Sequence, residues 1–331
     1  MKAQSKKIDL FDYLYRYGTL LVIVFVTVFF SLSLPHFWTY TNMSDILRSI
    51  SIVTLIAIGV TISLTVDGFD LSVGSTAGLA AVIAAKLMVI HNYGMVPAII
   101  FPILVGILIG LINAFLIVKI GIPDMLATLS MMFVIKGALT TYTKGTAIYN
   151  YMPLPDNGGI AEGLMKENFL YLGQGYILGI PVPVIIMFVA ICIIHIFLNH
   201  TKYGRFLHVT GGNREAARLS GILVNKYRTI AYILSGAFAA LGGIVLAARL
   251  GSGEVDAGAA YLMDSVASAY IGFSIMGAGK ANVVGTFCGA ILIGILLNGL
   301  TMLNFPYYAQ DIVKGTVLAF ALAITYYKKK Q

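Results

Sequence analysis

Two carboxylates flank a glycine in Asp67-Gly68-Phe69-Asp70-Leu71-Ser72-Val73-Gly74-Ser75, inside an otherwise apolar region. A charge at bilayer depth is costly unless it is paired or hydrated. Only a turn or a broken helix places these residues cheaply. Asp70 and Ser72 precede a helical pattern, and both can cap its N-terminus. They can equally line a water-filled path, as discontinuous membrane elements do. The residues leave both readings open.

A second polar segment, Asn199–Arg228, reads NHTKYGRFLHVTGGNREAARLSGILVNKYR. Gly211 and Gly212 are expected to break the chain and Asn213 to cap a short helix over REAARLSGILV. Ala216, Leu219 and Leu223 recur at i, i+3, i+7 and give that helix one apolar face. Arg214, Glu215 and Arg218 lie off it. Such a helix suits a membrane surface or a groove on a partner.

No bond-making constellation accompanies these segments. The phosphate-binding pattern G-x-x-x-x-G-K-[ST] is missing: Ala281 follows Gly279-Lys280, and Ser274 stands where the first Gly belongs. There is no H-E-x-x-H and no nucleophile elbow. His91, His195, His200 and His208 lack ligand spacing, and Cys192 and Cys288 sit in apolar runs. The chain is therefore expected to be no enzyme, to bind no metal or cofactor, and not to bind ATP through that pattern.

The elements that position these segments follow from composition. Of 331 residues, 59% are apolar and 11% charged, where about 25% charged is usual for a soluble domain. That excludes an ordinary soluble enzyme, disorder and a disulfide scaffold, and leaves an all-α polytopic membrane protein. Ten apolar stretches are candidate spans: Tyr17–Leu34, Ile50–Val66, Ser75–Ile90, Met95–Val118, Met125–Thr143, Pro181–Leu198, Thr229–Ala248, Ala257–Ala278, Ala281–Phe305 and Ile312–Tyr327. Each is long enough to cross, or nearly cross, about 30 Å of hydrocarbon. Tyr17–Leu34 carries a basic flank and Ser31–Ser33, yet it is long for a signal peptide and reads as a retained first helix.

The net charge is +8, from 22 Lys and Arg against 14 Asp and Glu. No soluble basic face exists for a nucleic acid to use. Placing the N-terminus in the cytoplasm puts Lys2, Lys6, Lys7, Arg16, Lys119, the Lys and Arg residues of 199–228, Lys280 and Lys328–Lys330 inside. Arg48, Lys144, Lys166 and Arg249 fall outside, so both termini are expected to be cytoplasmic. Ile107–Asn113 (ILIGLIN) and Ile291–Asn298 (ILIGILLN) lie five spans apart. They hint at a five-plus-five inverted repeat, although such strings also arise by chance in membrane sequence.

Beyond the residues themselves, Glu215, Ala216, Ala217 and Gly221 form an EAA-x-x-x-G pattern that looks like the coupling-helix motif of ATP-binding-cassette importer permeases. Asp70-Leu-Ser-Val-Gly-Ser75, with Gly68 before it, resembles the ribose-type permease family of bacterial sugar importers. Lys119-Ile-Gly-Ile-Pro123 with Ala127-Thr128-Leu129 fits that family, as do Leu172-Gly-Gln-Gly175, Gly179-Ile-Pro181-Val-Pro183, Ala248-Arg249-Leu-Gly251 and Val313-Lys314-Gly315. Gly272-Phe-Ser274-Ile-Met-Gly277-Ala-Gly279 departs from the family's GGTSLxGG. The resemblance runs from about residue 44 to the end of the chain. It implies a permease subunit of the bacterial inner membrane, moving a monosaccharide or similar polar solute.

In such a protein 199–228 is the cytoplasmic coupling loop, with Gly212, Asn213, Glu215, Ala216, Ala217, Leu219 and Gly221 meeting a cytoplasmic ATP-binding subunit. The external loop 144–180 suits an extracytoplasmic solute-binding protein, or is an ordinary solvated loop. Two permease copies would share the pathway. Candidate pathway residues are Asp70, Ser72, Asn113, Tyr270, Ser274 and Asn298, each of which also suits an interhelical hydrogen bond or packing role. The competing reading is an ion-coupled secondary transporter using Asp67, Asp70 and Asp264 as relay or ion ligands.

Overall fold

The computed structural model describes residues 10–154, 158–274, 280–306, 308–316 and 319, with side chains from residue 20 onward and none at Ser274. The end of the eighth expected span and most of the tenth lie outside the described residues. The chain is helical: α1 (Leu10–Ser33), α2 (Tyr40–Thr65), α3 (Val73–Val89), α4 (Met95–Ala114), α5 (Asp124–Thr143), α6 (Glu167–Gln174), α7 (Val182–His200), α8 (Lys202–Gly212), α9 (Arg214–Leu219), α10 (Val224–Leu250), α11 (Ala257–Ser274) and α12 (Val283–Met302). Residues 308–316 are also helical.

Six described helices are long and apolar enough to cross a membrane: Tyr40–Thr65, Met95–Ile120, Asp124–Thr143, Val182–His200, Val224–Leu250 and Val283–Met302. Leu20–Ser33 and Val73–Val89 are shorter apolar helices. The fold is thus that of a polytopic all-α membrane protein. From Ile50 onward α2 carries no charge on any face and is buried almost throughout, and a helix stretch of that kind belongs in the middle of a bundle. It sits there, packed against α10, α11, α12 and α7. Its start lies upstream of the expected Ile50, because Thr39 caps it by accepting from the Asn42 N–H, and the polar turn that follows stays helical.

α10 is the second central helix, with α2, α3 and α4 against it. Gly106 of α4 and Gly236 of α10 meet where a Cβ on either would overlap the other's carbonyl. Small residues at helical spacing let the backbones close in this way. α4 continues into a wide π turn over Phe115–Ile120, which Gly121 ends with φ 90°. Pro123 then precedes α5.

Two local expectations need correcting. Gly211 and Gly212 do not break the chain; they form the last turn of α8, where Gly211 lies against the Thr65 carbonyl with no room for a side chain. The break comes at Asn213, whose φ of −159° is extended. The helix after it stops at Leu219 rather than running through Val224. Gly221 adopts φ 77°, and Ile222 N–H closes onto the Ala217 carbonyl at 3.0 Å. A left-handed glycine with this long return bond is how many helices end.

The described parts of the expected external loop, residues 144–154 and 158–180, fold back onto the bundle. β1 (Ile148–Tyr149) pairs antiparallel with β4 (Ser252–Gly253), and β2 (Tyr176–Ile177) pairs with β3 (Ile180–Pro181). Met152, Ala161, Met165 and Phe169 are buried against α3 and α10. Gly163 N–H donates to the Val89 carbonyl, which seats the segment on the end of α3.

Candidate functional site

The turn between α2 and α3 separates its two acids. Asp70 is 1% exposed. Its Oδ1 accepts from Ser72 N–H at 2.9 Å and from Ser72 Oγ at 2.6 Å. Its Oδ2 accepts from Ser235 Oγ of α10 at 2.7 Å. Asn113 Nδ2 of α4 donates to Ser72 Oγ at 2.9 Å. Ser72, Asn113 and Ser235 are buried too. Both carboxylate oxygens are thereby engaged, and a buried acceptor of this kind is stable only when its donors are in place. Ser72 makes no side-chain cap to α3; its hydroxyl serves Asp70 instead.

Asp67 points the other way. It adopts φ 53°, a left-handed conformation that Asp tolerates better than most residues. Its carbonyl accepts from Arg214 Nη2 at 2.7 Å, and its Oδ2 lies 3.6 Å from the same nitrogen. Arg214 Nη2 is also 3.7 Å from Asp124 Oδ2. The other oxygen of Asp124 pairs closely with Arg228 of α10. Thr128 Oγ1 bonds the Phe69 carbonyl at 3.1 Å and ties α5 to the same turn.

Asp124, Arg214, Arg228, Asp67, Phe69 and Tyr270 line one cleft of about 820 Å³. The Tyr270 ring lies 5.8 Å from Phe69 and 6.0 Å from Phe273. The pathway candidates therefore do not converge. Asp70, Ser72 and Asn113 share one buried network, and Tyr270 faces the neighbouring cleft. Asn298 bonds Asn42 at 2.9 Å, near the opposite end of α2. The Ser274 side chain lies outside the described residues. The sequence pattern does not single out Asp124, Arg228 or Ser235. Arg228 reads locally as a helix-flanking charge, whereas Asp124 carries a usable signal as an acid at the first position of α5.

The short helix α9 stands on this cluster. Asn213 Oδ1 caps it from Ala216 N–H at 3.0 Å. Ala217 is buried, whereas Leu219 is 85% and Leu223 65% exposed. Glu215 and Arg218 are both exposed and 4.0 Å apart. The single helical face expected from Ala216, Leu219 and Leu223 does not form, because α9 ends at Leu219 and Gly221 turns the chain before Leu223; all three side chains are nonetheless exposed. Glu215, Gly212 and Gly221 also reach the surface beside them. Among the described residues, no group of three or more His, Cys, Asp or Glu could hold a metal ion.

A bundle of membrane-length helices bearing one short surface helix is the architecture of a polytopic membrane domain. Residues 42–322 match the family described as branched-chain amino acid transport system / permease component. The chain belongs to that family. It is 36% identical over 310 residues to the ribose import permease protein of Escherichia coli (strain K12), covering 94% of this chain and 92% of that one. It is 34% identical to the ribose import permease protein of Bacillus subtilis (strain 168), covering 98% and 97%. The galactose/methyl galactoside import permease protein of Escherichia coli (strain K12) is 30% identical, at 98% and 97% coverage. No solved structure matches the chain. This is a permease subunit of an ATP-binding-cassette importer, a transport subunit rather than an enzyme, and a multi-pass protein of the inner membrane. Its system includes an ATP-binding and a solute-binding partner.

Proposed function

We propose that the chain imports a monosaccharide, as one of two permease copies that share a pathway, and that α9 is the helix docked by the ATP-binding subunit. The exposed surface of α9 carries this reading. A helix that presents Leu219 to water, with Leu223 exposed in the turn just after it and Glu215 and Arg218 beside it, fits a groove on a partner. Gly212, Asn213, Glu215, Ala216, Ala217, Leu219 and Gly221 build that docking element. ATP closure would move it and switch the gate between outward and inward states. The sugar class comes from the ribose and galactose named for the relatives.

The α9 end of the bundle is then cytoplasmic, with both termini on that side. The opposite end, where Arg48 Nη2 bonds the Gln174 carbonyl and Tyr40 Oη the Gly179 carbonyl, faces the solute-binding protein. Ten spans in two inverted halves are supported by the packing. α4 lies on α10 as α12 lies on α2, and α3 lies on α10 as α11 lies on α2. Such an exchange is what a five-plus-five repeat requires. Exposed Leu104, Leu108, Met125, Leu126, Phe133 and Val134 on α4 and α5 leave an apolar surface for lipid or the second copy. Tyr270 faces the cleft and is read as a pathway residue, whereas Asp70, Ser72 and Asn113 hold the turn beside it.

The ion-coupled alternative finds its acids occupied. Asp67 pairs with Arg214, Asp70 with two serines, and Asp264 lies 3.2 Å from Lys314. Uptake in vesicles decides between the two. Transport that needs the ATP-binding subunit, the binding protein and ATP supports the importer. Transport driven by an ion gradient without that subunit overturns it. A thermal-shift screen of monosaccharides against the binding protein names the solute.

A further inference from the structure

The attachment of α9 to the membrane helices is narrow. Ala217 is its only buried residue, and its first residue, Arg214, supplies the polar link. That one guanidinium bonds the Asp67 carbonyl at 2.7 Å and lies 3.6 Å from Asp67 Oδ2 and 3.7 Å from Asp124 Oδ2. Asp67 sits in the turn joining α2 to α3. Asp124 opens α5, and through Arg228 it holds α10. The planar fork of arginine suits such a junction, because it presents several donors in fixed directions. The Asp67 turn continues into Asp70 and its bonds to Ser72 and Ser235. A displacement of α9 therefore reaches the α2–α3 turn and the start of α5 through the Arg214 side chain, beside the backbone contact that Gly211 at the end of α8 makes with the same turn. Both line the cleft that Tyr270 and Phe69 face.

We propose that Arg214 is the positioning residue that carries movement of α9 into the membrane domain, with Asp67 and Asp124 as its receivers. The proposal rests on the reading of α9 as the helix docked by the ATP-binding subunit. It separates docking, done by the exposed face, from transmission, done by the ion cluster behind it.

The test uses the whole complex in vesicles, with copurification of the ATP-binding subunit, ATP hydrolysis and uptake measured together. Arg214→Gln is expected to retain copurification within about twofold while uptake per ATP falls by about tenfold, within the range one coupling interaction supplies. Arg214→Lys restores part of that ratio by returning the charge. Asp67→Asn keeps a residue that tolerates φ 53° and lowers the ratio in the same direction. It also serves as the second variant if Arg214→Gln folds poorly. The double variant is expected to be no worse than Arg214→Gln alone, because both remove one link. An unchanged uptake per ATP, independent losses that multiply, or loss of copurification in Arg214→Gln overturns the proposal. A wild-type chain that fails to copurify with any ATP-binding subunit refutes the docking reading instead.

Discussion

Ser235 on α10 donates to Asp70 Oδ2 at 2.7 Å, joining residues 165 apart in sequence. With Ser72 on the other oxygen and Asn113 behind it, the bond pins the α2–α3 turn to α10 and α4. Ser235→Ala removes one donor from a buried carboxylate and should cost about 1–3 kcal/mol of stability. Asp70→Ala, which orphans both hydroxyls, should cost more. Thermal denaturation in detergent checks this, paired with uptake per folded molecule. A stability loss with uptake retained in Ser235→Ala fits a structural lock. Unchanged stability with lost uptake would return Asp70 to the pathway.

Arg228 and Arg214 share Asp124 but differ in setting. The Arg228 and Asp124 side chains are 11% and 14% exposed, whereas Arg214 is 40% exposed. Removing one partner of a buried pair strands the other charge and typically costs about 3–5 kcal/mol. A solvent-screened pair is worth about 0–1 kcal/mol. Arg228→Ala should therefore lower the melting temperature far more than Arg214→Ala. Equal shifts in the two variants would show that the cluster is uniformly wet.

Long-range pairing also explains what could be read from the chain. The apolar helices were legible because hydropathy is a local property, and each expected stretch whose residues are described falls largely on a helix, six of them long and apolar enough to cross a membrane. Asn213 was legible because a cap is fixed by neighbours a few residues away, whereas Gly221, expected inside the helix, instead ends it in a left-handed turn. Ser235 carried no such signal, since one serine in an apolar helix looks like any other. Arg228 meets Asp124 across 104 residues and Arg214 meets Asp67 across 147. Locally they read as charges flanking a membrane helix, and only packing reveals their partners. Asp67 and Asp70 lie close in sequence and looked like one unit, yet the turn between them sends one to the surface and the other into the bundle.

His208 on α8 gives a pH test. It is half-buried, and burial, followed by the nearby Lys280 charge, holds its imidazole below the ordinary value of 6.5. The folded chain thus keeps His208 neutral where the unfolded chain protonates it. The unfolded state binds more protons, so stability falls as pH drops below about 6.5 and is fully present above it. His208→Gln should show a smaller fall in melting temperature between about pH 7.5 and about pH 5.5 than the wild-type chain. Parallel curves would mean that His208 is freely hydrated.

The docking face of α9 can be altered without touching the bundle. Leu219 is 85% exposed and has no role in the core, so Leu219→Asp should leave membrane level and melting temperature unchanged. On a partner's groove the same change buries an unpaired charge, and copurification of the ATP-binding subunit should fall by about tenfold or more. Glu215→Lys reverses a charge on the same exposed helix and should act alike. Gly221→Pro works through the backbone. Proline fixes φ near about −65°, whereas Gly221 sits at 77° and its N–H bonds the Arg218 carbonyl at 3.0 Å. It should unseat the end of α9 while the membrane helices remain assembled. Normal copurification and uptake in both Leu219→Asp and Glu215→Lys would mean that the ATP-binding subunit grips another part of 199–228. The exposed leucines would then belong to the membrane surface, the other setting that apolar side chains of this kind suit.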